Sequence, residues 1–512
     1  MNQPIRMRTA AAVVAGSVLL SRLLGLGRDV LLATLIGAGE EADLYFDAFL
    51  IPDMLNYLLA GAYLTITLVP ILSRHLEDGD NEAASRAFTS VFRFVGLAIV
   101  ALTALMWVFA DVLVGWVFPE VAEADRLVSM TRLVLPAQVF LVTGALLMAV
   151  QYTHKRFLVP AAAPLVYNLG IIVGGLIGWA MGEPTPEAFL LGAVLGAFLG
   201  NFALQWFGAR RTGTWFLAPL AGRSAVGEYL VLAIPLMVGQ SVAVLDEQFV
   251  RVFGQLEVGA TAALTYARRL NMVPVGVIAQ AAGVAAFPFL ASLAARGANE
   301  ELIETTGRAA RKTLFVAAAA TAGLVVLARP MVRLLYQYGA FTASNAELVA
   351  SLLTIYAFSI PAWGMHQLLV RHFYAKRRMW TPVVIGTGFS LIAIPVWLGL
   401  YDMMGVEGFA LASTLVMIAY ALGMLIAWGY DSGWAPVRRL APAFLRGMFS
   451  AAVAGGLGVL VVDAILDGTS PTVVSSLGAG LIGGLTTLAV FFGSSSILRA
   501  PEMREVLRRR NR

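Results

Sequence analysis

The sequence predicts an all-α polytopic membrane protein of 14 transmembrane helices, built as two six-helix lobes plus two C-terminal helices. Three observations predict it. Of the 512 residues, 59% are hydrophobic and only 13% are charged, against roughly 25% charged in soluble domains. The mean hydropathy is +0.79. The apolar runs are long and unalternated, whereas a transmembrane barrel shows ~10-residue alternating segments. A soluble globule, a disordered chain and a collagen-like chain are excluded on composition. With no cysteine in the chain, disulfides, thiolate metal sites and cysteine nucleophiles are excluded too.

A spanning helix needs roughly 20 apolar residues. On that measure, spans are expected at about 9–37, 45–73, 86–117, 128–153, 157–181, 187–209, 225–253, 259–293, 308–337, 346–373, 379–400, 406–429, 441–466 and 471–497. The first run follows Arg6 and Arg8 as a signal peptide would. It continues past Ser21-Arg22 without a small-residue cleavage site, so it reads as an uncleaved span. Every second loop is basic: Arg74 and Arg86, Lys155 and Arg156, Arg210 to Arg223, Arg296 to Lys312, Arg371 to Arg378, Arg438 to Arg446, and the tail from Arg499. These loops hold most of the 36 basic residues. The alternate loops carry Glu40, Glu41 and Asp43, then Glu120, Glu123 and Asp125, then Glu183 and Glu187, then Asp402 and Glu407. Arg126, Arg132, Arg329 and Arg333 are exceptions on the acidic side. The bias predicts a multi-pass protein with both termini in the cytoplasm. It also accounts for the net charge of +5 without a nucleic-acid partner. The tail at 499–512 is expected on anionic lipid headgroups.

An internal repeat follows. Tyr152, Lys155, Arg156 and Pro160 recur as Tyr374, Arg377, Arg378 and Pro382 at one constant offset. Two copies of an even-numbered unit share their orientation and are related by an axis along the membrane normal. The expected division is an N-lobe at 1–222, a C-lobe at 223–437, a helix pair at 438–498 and a basic tail at 499–512.

Charges inside spans are costly, at about 2.5–3.5 kcal/mol each on insertion scales, and tend to face polar cavities. They concentrate in spans 1–2 and 7–8, the equivalent positions of the two copies. Arg22, Arg28 and Asp29 lie in span 1, Asp47 and Asp53 in span 2, Asp246, Glu247 and Arg251 in span 7, and Arg268 and Arg269 in span 8. Each alone also reads as a snorkelling side chain or a structural ion pair. As a set they predict a shared cavity. Arginine suits phosphate there, because its planar fork pairs with two oxygens. Gly25 and Gly27 lie between the span 1 arginines and read equally as a hinge or as ordinary helix packing. Gly192, Gly196 and Gly200 read as a packing ladder. The four histidines form no metal-ligand pattern, no phosphate-binding loop follows a strand, and the chain does not read as an enzyme.

Span 1 carries Ser21-Arg22-Leu23-Leu24-Gly25-Leu26-Gly27-Arg28-Asp29, followed by Gly37-Ala38-Gly39, Ala42-Asp43, Pro52 and Val69-Pro70-Ile71-Leu72. Span 8 opens near Tyr266-Ala267-Arg268-Arg269-Leu270. These segments resemble the MurJ/MviN lipid II flippases of the MOP (MATE-like) superfamily, and the resemblance extends over essentially the whole chain. It implies transport of undecaprenyl-diphosphate-linked peptidoglycan precursor across a bacterial inner membrane by alternating access. It further implies diphosphate contacts from Arg22, Arg28 and Arg269, a hinge at Gly25 and Gly27, an outer gate acid at Asp43, and a lipid-tail groove on spans 13–14. Many members carry an Arg-Arg pair and then Glu in span 2; this chain has Asn56-Tyr57 and Gly61. Asn56 then joins the substrate contacts, and Arg268 or Arg251 stands in for the missing charge. No cofactor is expected. Coupling would come from Na+ or H+, with Asp246 as candidate ligand, or from the membrane potential. The rival readings are a flippase for another undecaprenyl-diphosphate-linked glycan, a cation-coupled MATE-like exporter, and a membrane scaffold without transport.

Overall fold

The computed structural model describes residues 7–58, 61–213, 225–234, 245–279, 286–467 and 472–507. The described residues are helical almost throughout. In chain order the helices are α1 (Met7–Ile36), α2 (Glu40–Asp47), α3 (Leu50–Leu58), α4 (Gly61–Glu77), α5 (Asn81–Val108), α6 (Ala110–Val117), α7 (Ala124–Val134), α8 (Ala137–Thr153) and α9 (Leu158–Ala180). Then come α10 (Pro186–Gly196), a π-helical turn (Ala197–Ala203), α11 (Leu204–Arg210), α12 (Ala225–Ile234), α13 (Leu245–Gly254), α14 (Ala260–Ala279), α15 (Phe287–Ala295) and α16 (Asn299–Tyr336). The chain closes with α17 (Ala343–Ala357), α18 (Ile360–Ala375), α19 (Trp380–Met404), α20 (Val406–Ser432), α21 (Trp434–Arg438), α22 (Leu440–Asp467), α23 (Val473–Ile497) and α24 (Pro501–Leu507).

Among the described residues, nine helices are long and apolar enough to cross a membrane, or ten when α17 and α18, bent by 44°, count as one span. These ten cover the expected spans 3–6 and 9–14. The four expected spans outside this set are 1, 2, 7 and 8, the same four that carry charge clusters. Span 2 is divided among α2, α3 and α4, and spans 7 and 8 contain residues outside the described set. Of the most apolar windows of α5, α19 and α23, only 22%, 17% and 22% is buried. Apolar faces left this open are stable where lipid, rather than water, covers them.

The described chain forms two compact units: Met1–Ala262 with Gly339–Phe341, and Ala263–Tyr338 with Thr342–Arg512. In the first, α1 packs on α9, and α9 on α10. That last approach is very close. A Cβ added at Gly192 would stand 2.3 Å from the Gly170 carbonyl oxygen, and one at Gly196 would stand 2.8 Å from that of Tyr167. The expected glycine ladder is therefore a backbone-to-backbone contact that no larger residue permits. In the second unit, the α22–α23 hairpin lies along α16, with Phe315, Ala318, Ala322, Ala451, Ala454 and Phe491 buried at the junction.

The repeat is visible in the backbone. Helices α8 and α18 end at 153 and 375, and α9 and α19 begin at 158 and 380. At each corner a basic residue takes a left-handed conformation, Lys155 at φ 56° and Arg377 at φ 58°. Lys155 N–H donates to the Tyr152 carbonyl at 2.9 Å, and Arg377 N–H to that of Tyr374 at 3.0 Å. Both pairs keep the offset seen in the sequence.

Candidate functional site

Helix α1 runs unbroken through Gly25 and Gly27. A Cβ at Gly27 would meet nothing within 4 Å, and one at Gly25 would meet only Asn168 Oδ1 at 3.8 Å. Neither glycine is required by packing. What they contribute is a weak point in the helix, since glycine in a helix interior is destabilising by roughly 0.5–1 kcal/mol relative to alanine. On either side of them stand the two arginines. Arg22 is exposed. Arg28 is largely enclosed, and its Nε and Nη2 donate to Asp29 Oδ1 at 3.0 and 2.9 Å. The guanidinium thus carries its own counter-ion, with Tyr45 and Tyr167 among its electrostatic neighbours.

Two polar residues of span 2, Asn56 and Asp53, are engaged within the first unit. Asn56 Nδ2 donates to Gln138 Oε1 at 2.9 Å. Arg251 on α13 is buried and donates to Asp53 Oδ2 at 2.9 Å. Arg251 therefore brings charge to this region already matched by a carboxylate, instead of simply replacing a missing arginine. Neither partner, Gln138 or Asp53, stood out as one in the sequence, because 82 and 198 residues separate the members of the two pairs.

Asp43 meets the backbone at the start of α14. Its carboxylate accepts hydrogen bonds from Gly259 N–H and, at 2.7 Å, from Ala262 N–H. A carboxylate at a helix N-terminus satisfies donors that the helix leaves open and complements the helix dipole. Gly259 is required there: its φ is +86°, and a Cβ would stand 2.6 Å from the Ala38 carbonyl oxygen. Two residues earlier on α2, Glu41 binds Arg126, which also bonds Glu123 and Glu187, so α2, α7 and α10 are pinned by one guanidinium.

In the second unit, Arg268 and Arg269 are half-buried on α14 and both have partners. The side chain of Asp246 lies outside the described residues. Sequence reasoning passed over Asp431. Its buried carboxylate accepts from Lys376 Nζ at 2.5 Å and from Arg378 Nη1 at 2.7 Å, with His372 Nε2 at 3.4 Å. An isolated acid beside an otherwise basic loop was the signal available.

Charged side chains thus cluster in spans 1, 2, 7 and 8, which fall outside the set of long apolar helices found among the described residues. The model of the lipid II flippase MurJ family matches residues 32–460. A probable lipid II flippase MurJ from Rhizobium tropici is 28% identical over 498 residues, covering 94% of this chain and 92% of that protein. The lipid II flippase MurJ of Burkholderia cenocepacia is 27% identical, over 75% of this chain and 76% of its own length. Among solved structures, a lipid II flippase MurJ in an inward closed conformation superposes with a TM-score of 0.77 at 22% identity, covering 97% and 100% of the two chains. A MATE family multidrug resistance transporter of the MOP superfamily, inward-facing, gives 0.65 at 16% identity over 83% and 95%. With a family model matched along most of its length, the chain belongs to the lipid II flippase MurJ family.

Proposed function

We infer that this chain moves lipid II, the undecaprenyl-diphosphate-linked peptidoglycan precursor, from the cytoplasmic to the periplasmic leaflet of the bacterial inner membrane, as a transporter and not as a catalyst. The family match over residues 32–460 carries the reading. The arginines of α1 and α14 support it, because guanidinium groups inside a membrane protein suit a diphosphate. In this reading Arg22, Arg28 and Arg269 hold the diphosphate during alternating access. Arg268, Arg251 and Asn56 add polar contacts, Gly25 and Gly27 supply the hinge, and Asp43 closes the outer gate. Arg28 starts the cycle bonded to Asp29, so substrate competes for it with an internal carboxylate. The lipid tail would lie on α22 and α23. A flippase for another undecaprenyl-diphosphate-linked glycan is the second reading. It is favoured by Asn56 and Arg251 already being engaged by Gln138 and Asp53.

The test is substrate flipping per molecule of inserted protein in proteoliposomes. Arg28→Ala and Arg269→Ala should each reduce flipping by at least about tenfold while the protein still accumulates, since a lost charged hydrogen bond is worth roughly 1.5–3 kcal/mol. Lysine at either position should restore only part, because it lacks the planar fork. Normal flipping in both alanine variants would remove the arginines from the mechanism. Repeating the assay with a different undecaprenyl-diphosphate-linked glycan separates the two substrates.

The proposed orientation places both termini in the cytoplasm. In this cysteine-free chain, Thr185→Cys should react with an impermeant thiol reagent on intact cells and Asp80→Cys should not. The reverse pattern would invert the topology.

A further inference from the structure

The described part of the first unit contains a buried carboxylate left over when its neighbours are paired. Asp47 on α2 is 2% exposed, and its Oδ1 has no hydrogen-bond partner. The hydroxyl of Thr261, fully buried, lies beside this carboxylate. On α13, Gln248 is also buried, and both its amide atoms lack partners. Helix α13 packs on α2, and Gln248 sits one turn from Arg251 on the same face.

The charged groups around Asp47 have other commitments. On α1, Arg28 is bonded to Asp29. On α7, Arg126 is shared by Glu41, Glu123 and, from α10, Glu187. On α13, Arg251 lies within electrostatic reach of Asp47 and donates a hydrogen bond to Asp53. On α2 itself, Asp43 repels Asp47 and is taken up by the backbone at Gly259 and Ala262. The side chains of Asp246 and Glu247 on α13 lie outside the described residues. A desolvated carboxylate without a dedicated partner is strongly unfavourable, and uptake of a small cation or a proton relieves it.

We propose that Asp47, with the Thr261 hydroxyl beside it and Gln248 on the facing helix, forms a site that takes up one unit positive charge, as a sodium ion or a proton. The unengaged oxygens are those of a carboxylate, a hydroxyl and a carboxamide, the donor types a hard cation accepts. A single carboxylate matches a monovalent ion and is a poor match for a transition metal, which favours imidazole or thiolate ligands. Loading the site cancels the pull of Asp47 on Arg251, so occupancy and the Arg251–Asp53 pair are coupled. The site does not depend on which lipid the protein carries, and its test needs no lipid substrate.

The test uses the purified full chain in lipid nanodiscs. The thermal unfolding midpoint is followed against sodium at constant ionic strength, with choline as replacement, and against pH between 5 and 8 without sodium. The wild type should gain stability with added sodium if sodium fills the site, and with falling pH alone if a proton does. Asp47→Asn is neutral and nearly isosteric with the loaded carboxyl, so it should remain folded and lose that response. Thr261→Ala should raise the half-saturating sodium concentration by about tenfold or more if sodium is the occupant, the effect of losing one hydroxyl contact to a charge. With a proton as occupant, it should shift the midpoint pH instead. A wild type that responds to neither ion overturns the proposal, as does an Asp47→Asn variant that keeps the wild-type response. If Asp47→Asn does not fold, an unchanged response in Thr261→Ala overturns it.

Discussion

Helices α8 and α18 finish on the same turn, yet what holds each turn in place is different. Both carry a tyrosine, then a basic residue in the left-handed region, then an arginine whose N–H bonds back at 2.9 Å to the residue before the tyrosine. Behind the first corner the contacts are neutral. Gln151 Nε2 donates to Gln205 Oε1 at 2.9 Å, and Gln205 Nε2 donates to the carbonyls of Gly200 and Val159 at 3.0 and 3.1 Å. Behind the second they are ionic, with Asp431 receiving Lys376 and Arg378 while His372 bonds Thr306 at 2.9 Å. In each case the partner comes from the helix two spans later, 54 residues on in the first corner and 55 in the second. A duplicated architecture has thus kept the backbone solution and replaced the chemistry behind it. The reason is that the turn is local, whereas the buried contact depends only on two facing side chains agreeing with each other. The same cap appears a third time at Arg499, φ 51°, after α23, outside the repeat. It is a general way for a helix of this protein to stop at a basic edge.

The sharpest way to break the comparison is to remove the central partner on each side. Asp431→Ala strands a partly buried ammonium and should destabilise the protein by about 3 kcal/mol, in the range for breaking one member of a buried pair. Gln205→Leu removes neutral hydrogen bonds and should cost about 1–2 kcal/mol. Denaturant unfolding in detergent, monitored with the native tryptophans, measures both. Equal losses would mean that the ionic corner contributes nothing special. Arg378 is 58% exposed, so its share of the ionic corner is expected to be small.

A smaller effect sharpens the local half of the argument. Left-handed backbone costs an ordinary L-residue roughly 1–2 kcal/mol. Lys155 and Arg377 already bear that cost, so Lys155→Val and Arg377→Val should each destabilise only by the extra strain of β-branching at φ > 0, less than the full cost. Lys155→Gly and Arg377→Gly should lie within about 1 kcal/mol of wild type, relief of strain being offset by a more flexible unfolded chain. The two corners should agree within about 0.5 kcal/mol for each substitution. A larger disagreement would show that the packing behind the turn, rather than the turn itself, sets its stability.

The distribution of charge along the chain was legible in the sequence, and the pairing of those charges was legible only in part. The charged spans were readable because an arginine in an apolar run is conspicuous, and the structure sets those same spans apart from the strongly apolar ones. Arg28 also had a readable counter-ion, since Asp29 adjoins it in sequence. The partners of Arg251 and Asp43 were not readable, being 198 and more than 200 residues away. Asp47 was marked only as one charge among several. That its Oδ1 is buried without a hydrogen-bond partner among the described residues emerged only from the structure.

By itself the sequence determined what depends on composition and short spacing: a lipid-embedded helical chain, a repeated unit, its helix-ending turns, and which spans carry charge. Hydropathy and turn chemistry act over a few residues and need no fold to be evaluated. Only the tertiary structure decided which charge meets which: Arg251 with Asp53, Lys376 with Asp431, Asp43 with a helix terminus, and Asp47 with an Oδ1 that meets no hydrogen-bond partner among the described residues. Burial amplifies those pairings, because a low local dielectric makes both a satisfied ion pair and an unsatisfied carboxylate matter far more than they would in water. Which side chains share that dielectric is set by helix packing across hundreds of residues.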